Sequence, residues 1–129
     1  MRKYRAGNSG TAYTKSDDWG IEAPHPRGSI SFAVFAHEVG HQLLHRSDSK
    51  PRWLEEIEAW EFAFSCFERF ELRGVERARE RAAKSLVYAA VKALRNPRTS
   101  EATRQRLRRR YAWVWQVAGP IGLQYEVWL

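Results

Sequence analysis

The sequence predicts an α+β fold that is mostly α, with a short N-terminal β element followed by about four helices. Three observations lead there. Turn-forming residues crowd the first 28 positions (Gly7-Asn8-Ser9-Gly10, Asp17-Asp18, Pro24-His25-Pro26-Arg27-Gly28) and enclose two short extended candidates, Thr11–Thr14 and Trp19–Ala23. That is the pattern of a small hairpin or an edge strand. From residue 29 onward apolar residues recur at helical spacing, and nothing further reads as strand. The chain has 129 residues, 43% of them hydrophobic and 29% charged, which suffices for one core and not for two.

Ser29 or Ser31 is expected to cap a first helix whose body runs from Phe32 to His45. Arg46-Ser47-Asp48-Ser49-Lys50 reads as a polar loop. Pro51, suited to the first position of a helix, opens a second one that carries Trp53, Leu54, Ile57, Trp60, Phe64 and Phe67 to about Leu72, before Gly74 breaks it. A third helix spans Val75–Leu94, with Leu86, Val87, Ala90 and Leu94 as its apolar stripe, and Asn96-Pro97 stops it. A fourth begins near Thr99 or Ser100 and ends at Gly119-Pro120. The chain thus reads as one domain over 1–129: a β and loop element at 1–28, two helices at 29–72, a basic helical part at 73–118, and an apolar, aromatic tail at 119–129.

Charge is segregated. Residues 1–72 hold nine Lys/Arg against eleven Asp/Glu, whereas residues 73–110 hold thirteen against three. A basic stretch of that kind is the footprint expected for nucleic acid or an acidic protein partner. The N-terminal residues lack the apolar run of a signal peptide, and no apolar stretch approaches the ~20 residues of a spanning helix. With one cysteine, Cys66, there is no disulfide framework and no Cys-rich zinc finger or iron–sulfur site. The expectation is a cytoplasmic protein with no membrane partner.

His37-Glu38-Val39-Gly40-His41 is the zincin pattern H-E-x-x-H. Residues four apart share a helix face, so the two imidazoles project side by side and can grip one Zn²⁺. Glu38 is rotated ~100° from His37, poorly placed as a ligand but able to reach a zinc-bound water. Zinc lowers the pKa of that water towards ~7, and a carboxylate then takes its proton as general base. The implied reaction is hydrolysis of a carbonyl substrate, most often a peptide bond. Gly40 lets another backbone approach.

The third ligand sets the subclass. His45 continues the i, i+4 series, but ~6 Å of rise between successive members makes convergence of all three on one tetrahedral centre difficult; it reads as a helix-end or cleft-rim residue. A third histidine six residues after the second is absent, since position 47 is Ser47. A carboxylate from the next helix is the better source. Glu58 has Leu54, Phe62 and Ser65 as helical neighbours, a largely apolar seam where a carboxylate needs a partner such as zinc. Glu55, on the same face, is the rival. Glu56 and Glu61 read as surface charges.

The pairing of His37-Glu38-Val39-Gly40-His41-Gln42-Leu43-Leu44-His45 with Glu58-Ala59-Trp60-Glu61-Phe62-Ala63 resembles the ImmA/IrrE family of small gluzincins and the compact one-domain minigluzincin peptidases. The resemblance covers about residues 30–65. It implies a compact zincin-like domain, His37 and His41 as zinc ligands, Glu38 as the base and Glu58 as the third ligand. It also implies cleavage of a repressor or other regulatory protein. The short run ending in Met-Pro that usually follows the second helix is replaced by Cys66-Phe67-Glu68-Arg69-Phe70.

The remaining features have plainer readings. Arg104, Arg106, Arg108, Arg109 and Arg110 form either a nucleic-acid footprint or a solvated basic face on a helix that buries Leu107, Tyr111, Val114 and Trp115. Trp113, Trp115 and Trp128 read as core or interface aromatics, and Cys66 as a buried inert thiol. Tyr88 and Tyr125 are the candidate donors to an oxyanion. The tail at 122–129 is a candidate cover for the cleft. The expected function is a zinc-dependent metallopeptidase acting on a protein or peptide. The alternatives are a catalytically silent, zinc-stabilised domain that binds nucleic acid or an acidic partner through its basic helices, and a degenerate zincin that serves as a scaffold.

Overall fold

A computed structural model describes the backbone of residues 2–5, 11–15 and 18–24, and the backbone and side chains of residues 26–45 and 50–119. Five helices build the packed body: α1 (Ser29–Leu44), α2 (Arg52–Arg69), α3 (Val75–Arg95), α4 (Glu101–Arg110) and α5 (Ala112–Ala118). Before them, three strand segments, β1 (Arg2–Arg5), β2 (Thr11–Lys15) and β3 (Asp18–Pro24), pair in the order β1-β3-β2. β2 and β3 are antiparallel with Thr14 opposite Trp19, and β1 lies parallel to β3 with Arg2 opposite Ile21.

The expected α+β, zincin-like class is corrected by where the core lies. Among the described residues every member of the hydrophobic cluster belongs to a helix or to Tyr111 between two helices. The domain formed by residues 26–119 is therefore all-α. α1 gives Ala33, Val34 and Ala36, α2 gives Trp53, Ile57, Trp60 and Phe67, and α3 gives Leu86, Val87 and Leu94. Ala78, Ala82, Ala83 and Ala90 are fully buried on α3, and their short side chains let neighbouring helices come close without voids. The stripe expected on α3 is the buried one.

The second correction is in helix number. The expected fourth helix breaks at Tyr111 into α4 and α5. No Gly or Pro causes the break. Tyr111 is fully buried, and its hydroxyl donates to the carbonyl of Trp53 at the start of α2. Reaching that carbonyl turns the chain, so that Val114 also enters the core. α4 buries only Leu107 and rests instead on its ends. Ser100 Oγ accepts from Thr103 N–H, Glu101 lies in the first turn, and Arg108, Arg109 and Arg110 lie in the last. Each of these complements the helix termini.

Two glycines carry conformational weight. Gly40 packs α1 on α2: a Cβ there would lie 3.1 Å from the Ala59 carbonyl oxygen and 3.1 Å from Phe62 Cδ1. Gly74, which precedes α3, has φ +91°, and a Cβ on it would lie 2.6 Å from Ser29 Cβ. Gly74→Ala therefore combines left-handed strain with a clash against the start of α1. The expected loss is roughly 2–3 kcal/mol of stability, read as a lower denaturation midpoint in urea. An unchanged midpoint would show that this turn relaxes freely.

Candidate metal centre

The centre grows out of one face of α1. His37, His41 and His45 follow one another at intervals of four, and all three are buried. α2 packs against this face through the contact at Gly40 and brings up three acids, Glu55, Glu56 and Glu58. The His37 ring stacks on Trp60, with centroids 4.2 Å apart and planes 15° from parallel.

Two ring nitrogens and the two oxygens of one carboxylate converge. His37 Nε2 lies 3.0 Å from Glu56 Oε2 and 3.1 Å from His41 Nε2, and His41 Nε2 lies 3.3 Å from Glu56 Oε1. Zinc bonds nitrogen and oxygen at ~2.0–2.1 Å, so two corners of a tetrahedron around it are separated by about 3.3 Å. The donor set is two imidazoles and one carboxylate, a borderline set that suits zinc. The group fits the ion in chemistry and in spacing.

Outer contacts orient these donors. Glu38, itself buried, places Oε1 3.2 Å from His37 Nδ1. When Nδ1 carries the proton and donates it there, Nε2 is left bare towards the centre. Arg52 reaches Glu56 Oε1 at 2.6 Å from its exposed position one turn earlier. His41 Nδ1 lies 3.3 Å from His45 Nδ1, His45 Nε2 lies 3.4 Å from Glu58 Oε1, and Lys50 Nζ holds both Glu58 oxygens at 3.1 and 3.2 Å.

Electrostatics follow this geometry. Burial alone would lower the His37 pKa, but the carboxylates of Glu38 and Glu56 outweigh it and hold the imidazole above its ordinary value. Burial would raise Glu56, but its bonds to His37 and His41 prevail and keep it well below the usual carboxylate range. Zinc must therefore displace a proton from His37, so its binding weakens towards acid pH. His45 is lowered, chiefly by burial.

The chain matches no protein-family model, no curated protein and no solved structure. The resemblance to the small gluzincins thus rests on the two motifs alone.

Set against the sequence reading, His37 and His41 come together as expected and Glu58 does not join them. Glu56, read as a surface charge, takes that place. The reason is helical phase. Glu56 precedes Trp60, Ala63 and Phe67 by four, seven and eleven residues, which is the stripe that α2 buries. The neighbours of Glu58 are only partly buried at Leu54 and Phe62, and exposed at Ser65. The signal was present in the sequence, in the spacing of Glu56 from Trp60. Glu55 Oε2 lies 3.9 Å from His45 Nδ1 and groups with His41 and His45 instead. Glu38 lies beside His37, with Oε1 on the Nδ1 side of the ring.

Other expected residues fall as follows. Cys66 is half-buried, and burial pushes its thiol up. Tyr88 is exposed on α3, and Tyr125, Trp128 and the tail at 120–129 lie outside the described residues. Trp113 packs edge-on against Phe64, and Arg79 lies over both rings. Arg104 donates to the carbonyls of Leu94, Asn96 and Thr99, closing the C-terminal end of α3. Arg106 sits over the Trp53 ring, Arg108 pairs with Glu101 at 3.5 Å, and Arg110 pairs with Glu61 at 2.6 Å. Arg109 is exposed. No described helix is long and apolar enough to cross a membrane.

Proposed function

We propose that this chain is a zinc-dependent metallopeptidase whose metal is held by His37, His41 and Glu56. The observation that carries the reading is the convergence of those three side chains, with ligand atoms 3.0–3.3 Å apart, on an H-E-x-x-H helix. Zinc, when bound, supplies the Lewis acidity that activates water for attack on a peptide carbonyl. Glu38, the carboxylate beside the ligand pair on α1, takes the proton from the attacking water and passes it to the leaving amine. In its described position it accepts from His37 Nδ1, which fixes the tautomer with Nε2 free, and the base role requires the carboxylate to turn from there towards the water. Trp60 walls the other side of that ring. The substrate is a protein or peptide, and the motif resemblance points to a regulatory one.

Zinc analysis and turnover of an unfolded protein such as casein test this together. About one equivalent of zinc is expected in the wild type. Glu38→Gln is expected to keep the zinc, because the amide oxygen still accepts from Nδ1, and to lose ~10²–10⁴-fold in turnover. A wild type that takes up no zinc under metal-replete conditions overturns the reading, as does a Glu38→Gln protein of full activity.

The charge excess of residues 73–110 favours a second reading, a silent zinc-stabilised domain that binds nucleic acid or an acidic partner. Zinc uptake without turnover, together with salt-sensitive binding to duplex DNA, would favour it over the peptidase.

A further inference from the structure

We propose that His45 is a positioning residue for the metal centre: it accepts the Nδ1–H of His41 and is itself held by Glu58 and Lys50, so that His41 Nε2 is kept bare for the ion. This rests on the metal-centre reading above. A histidine that ligates zinc through one nitrogen keeps its proton on the other, and a buried N–H needs an acceptor. His45 Nδ1 lies 3.3 Å from His41 Nδ1 and can accept its N–H. For His45 to accept there, its own proton must sit on Nε2. That atom faces Glu58 Oε1 at 3.4 Å, and Glu58 is anchored by Lys50 Nζ at 3.1 and 3.2 Å. Every donor in this chain then meets an acceptor, and the order Lys50, Glu58, His45, His41 runs from the protein surface to the centre.

Glu55 is the competing partner, but its Oε2 lies 3.9 Å from His45 Nδ1, beyond hydrogen-bond reach. His37 is held in the same way by Glu38, so each ligand histidine has its own support. The arrangement accounts for a third buried histidine on a face where only two can converge on one ion. It also gives a role to Glu58, which the ligand set leaves out.

The test is zinc affinity, measured by chelator competition on the full chain, for wild type, His45→Phe and His45→Gln. Phenylalanine keeps the shape but accepts nothing, while glutamine offers a carbonyl oxygen to His41. His45→Phe is expected to bind zinc ~10–100-fold more weakly, and His45→Gln to stay within a few-fold of wild type. In the zinc-loaded wild type, NMR should show one slowly exchanging ring N–H on His41, at Nδ1; it should exchange rapidly in His45→Phe. Equal affinities for wild type and His45→Phe overturn the proposal and leave the metal centre standing. Equal losses in both variants also overturn it, since packing alone would then be at stake. Two zinc equivalents in the wild type, with the second lost in His45→Phe, would make His45 a ligand of a second ion instead. A wild type that binds no zinc removes the metal centre and this role with it.

Discussion

Glu56→Ala is expected to weaken zinc binding by roughly 10²–10³-fold, while Glu58→Ala keeps one equivalent. Structural zinc in small domains binds with ~10–16 kcal/mol, which divided among three or four ligands assigns roughly 3 kcal/mol or more to each. Each ~1.4 kcal/mol is a factor of ten in affinity. Glu56 lies 3.0 and 3.3 Å from the two histidine nitrogens, and its loss leaves those imidazoles without a shared carboxylate. Glu58 meets His45 and Lys50, two steps from the ligand His41, so its loss acts only through the orientation of His41. Chelator competition on both variants, beside the wild type, measures the difference. The opposite pattern, zinc lost with Glu58→Ala and kept with Glu56→Ala, would place the ligand on the seam of Leu54 and Phe62 and would require α2 to sit about half a turn away from its described phase.

Trp60→Ala is expected to cost about 3–5 kcal/mol of stability in the metal-free protein. The side chain is 2% exposed, packs on Phe64 and is stacked on His37, so truncation opens a cavity at the contact between α1 and α2. Trp60→Phe should cost much less, because the indole Nε1 has no hydrogen-bond partner among the described residues and phenylalanine preserves the stack. Urea melts of the three proteins read the effect. A loss below about 1 kcal/mol for Trp60→Ala would mean that the neighbouring side chains collapse into the space. The metal centre should register the same change, since His37 loses the ring that fixes its plane.

How much of this was legible follows from the range of the forces concerned. The H-E-x-x-H pair lies within five consecutive residues, and helix geometry alone sets both imidazoles on one face. The core stripe on α3 was equally local. The carboxylate partner was not, because it depends on which side of α2 meets α1. Reading the apolar neighbours of Glu58 pointed to a seam that is only half-buried, whereas Trp60, buried against His37, marks the face that packs on α1 and carries Glu56 with it. The break at Tyr111 was beyond sequence reasoning for a similar reason. No breaker residue stands there, and the turn is imposed by a hydrogen bond to Trp53, 58 positions away. The fold class was misjudged through the N-terminal turns and extended candidates. Those candidates speak for backbone pairing alone, while among the described residues the hydrophobic core is helical.

The Tyr111 hydroxyl has a bearing on the order in which the protein matures. Every proposed ligand of the metal centre lies between residues 37 and 56, so the whole set is made before α3, α4 and α5. The helix that delivers Glu56, however, is fastened at its beginning, on the Trp53 carbonyl, by a residue made 58 positions later. Metal captured before that residue is made would meet a ligand helix not yet fastened at its first turn. Packing on α1 at Gly40 sets the face of α2, and the bond from Tyr111 adds a second hold at its first turn, so the last fastening of the ligand helix is made after its ligands.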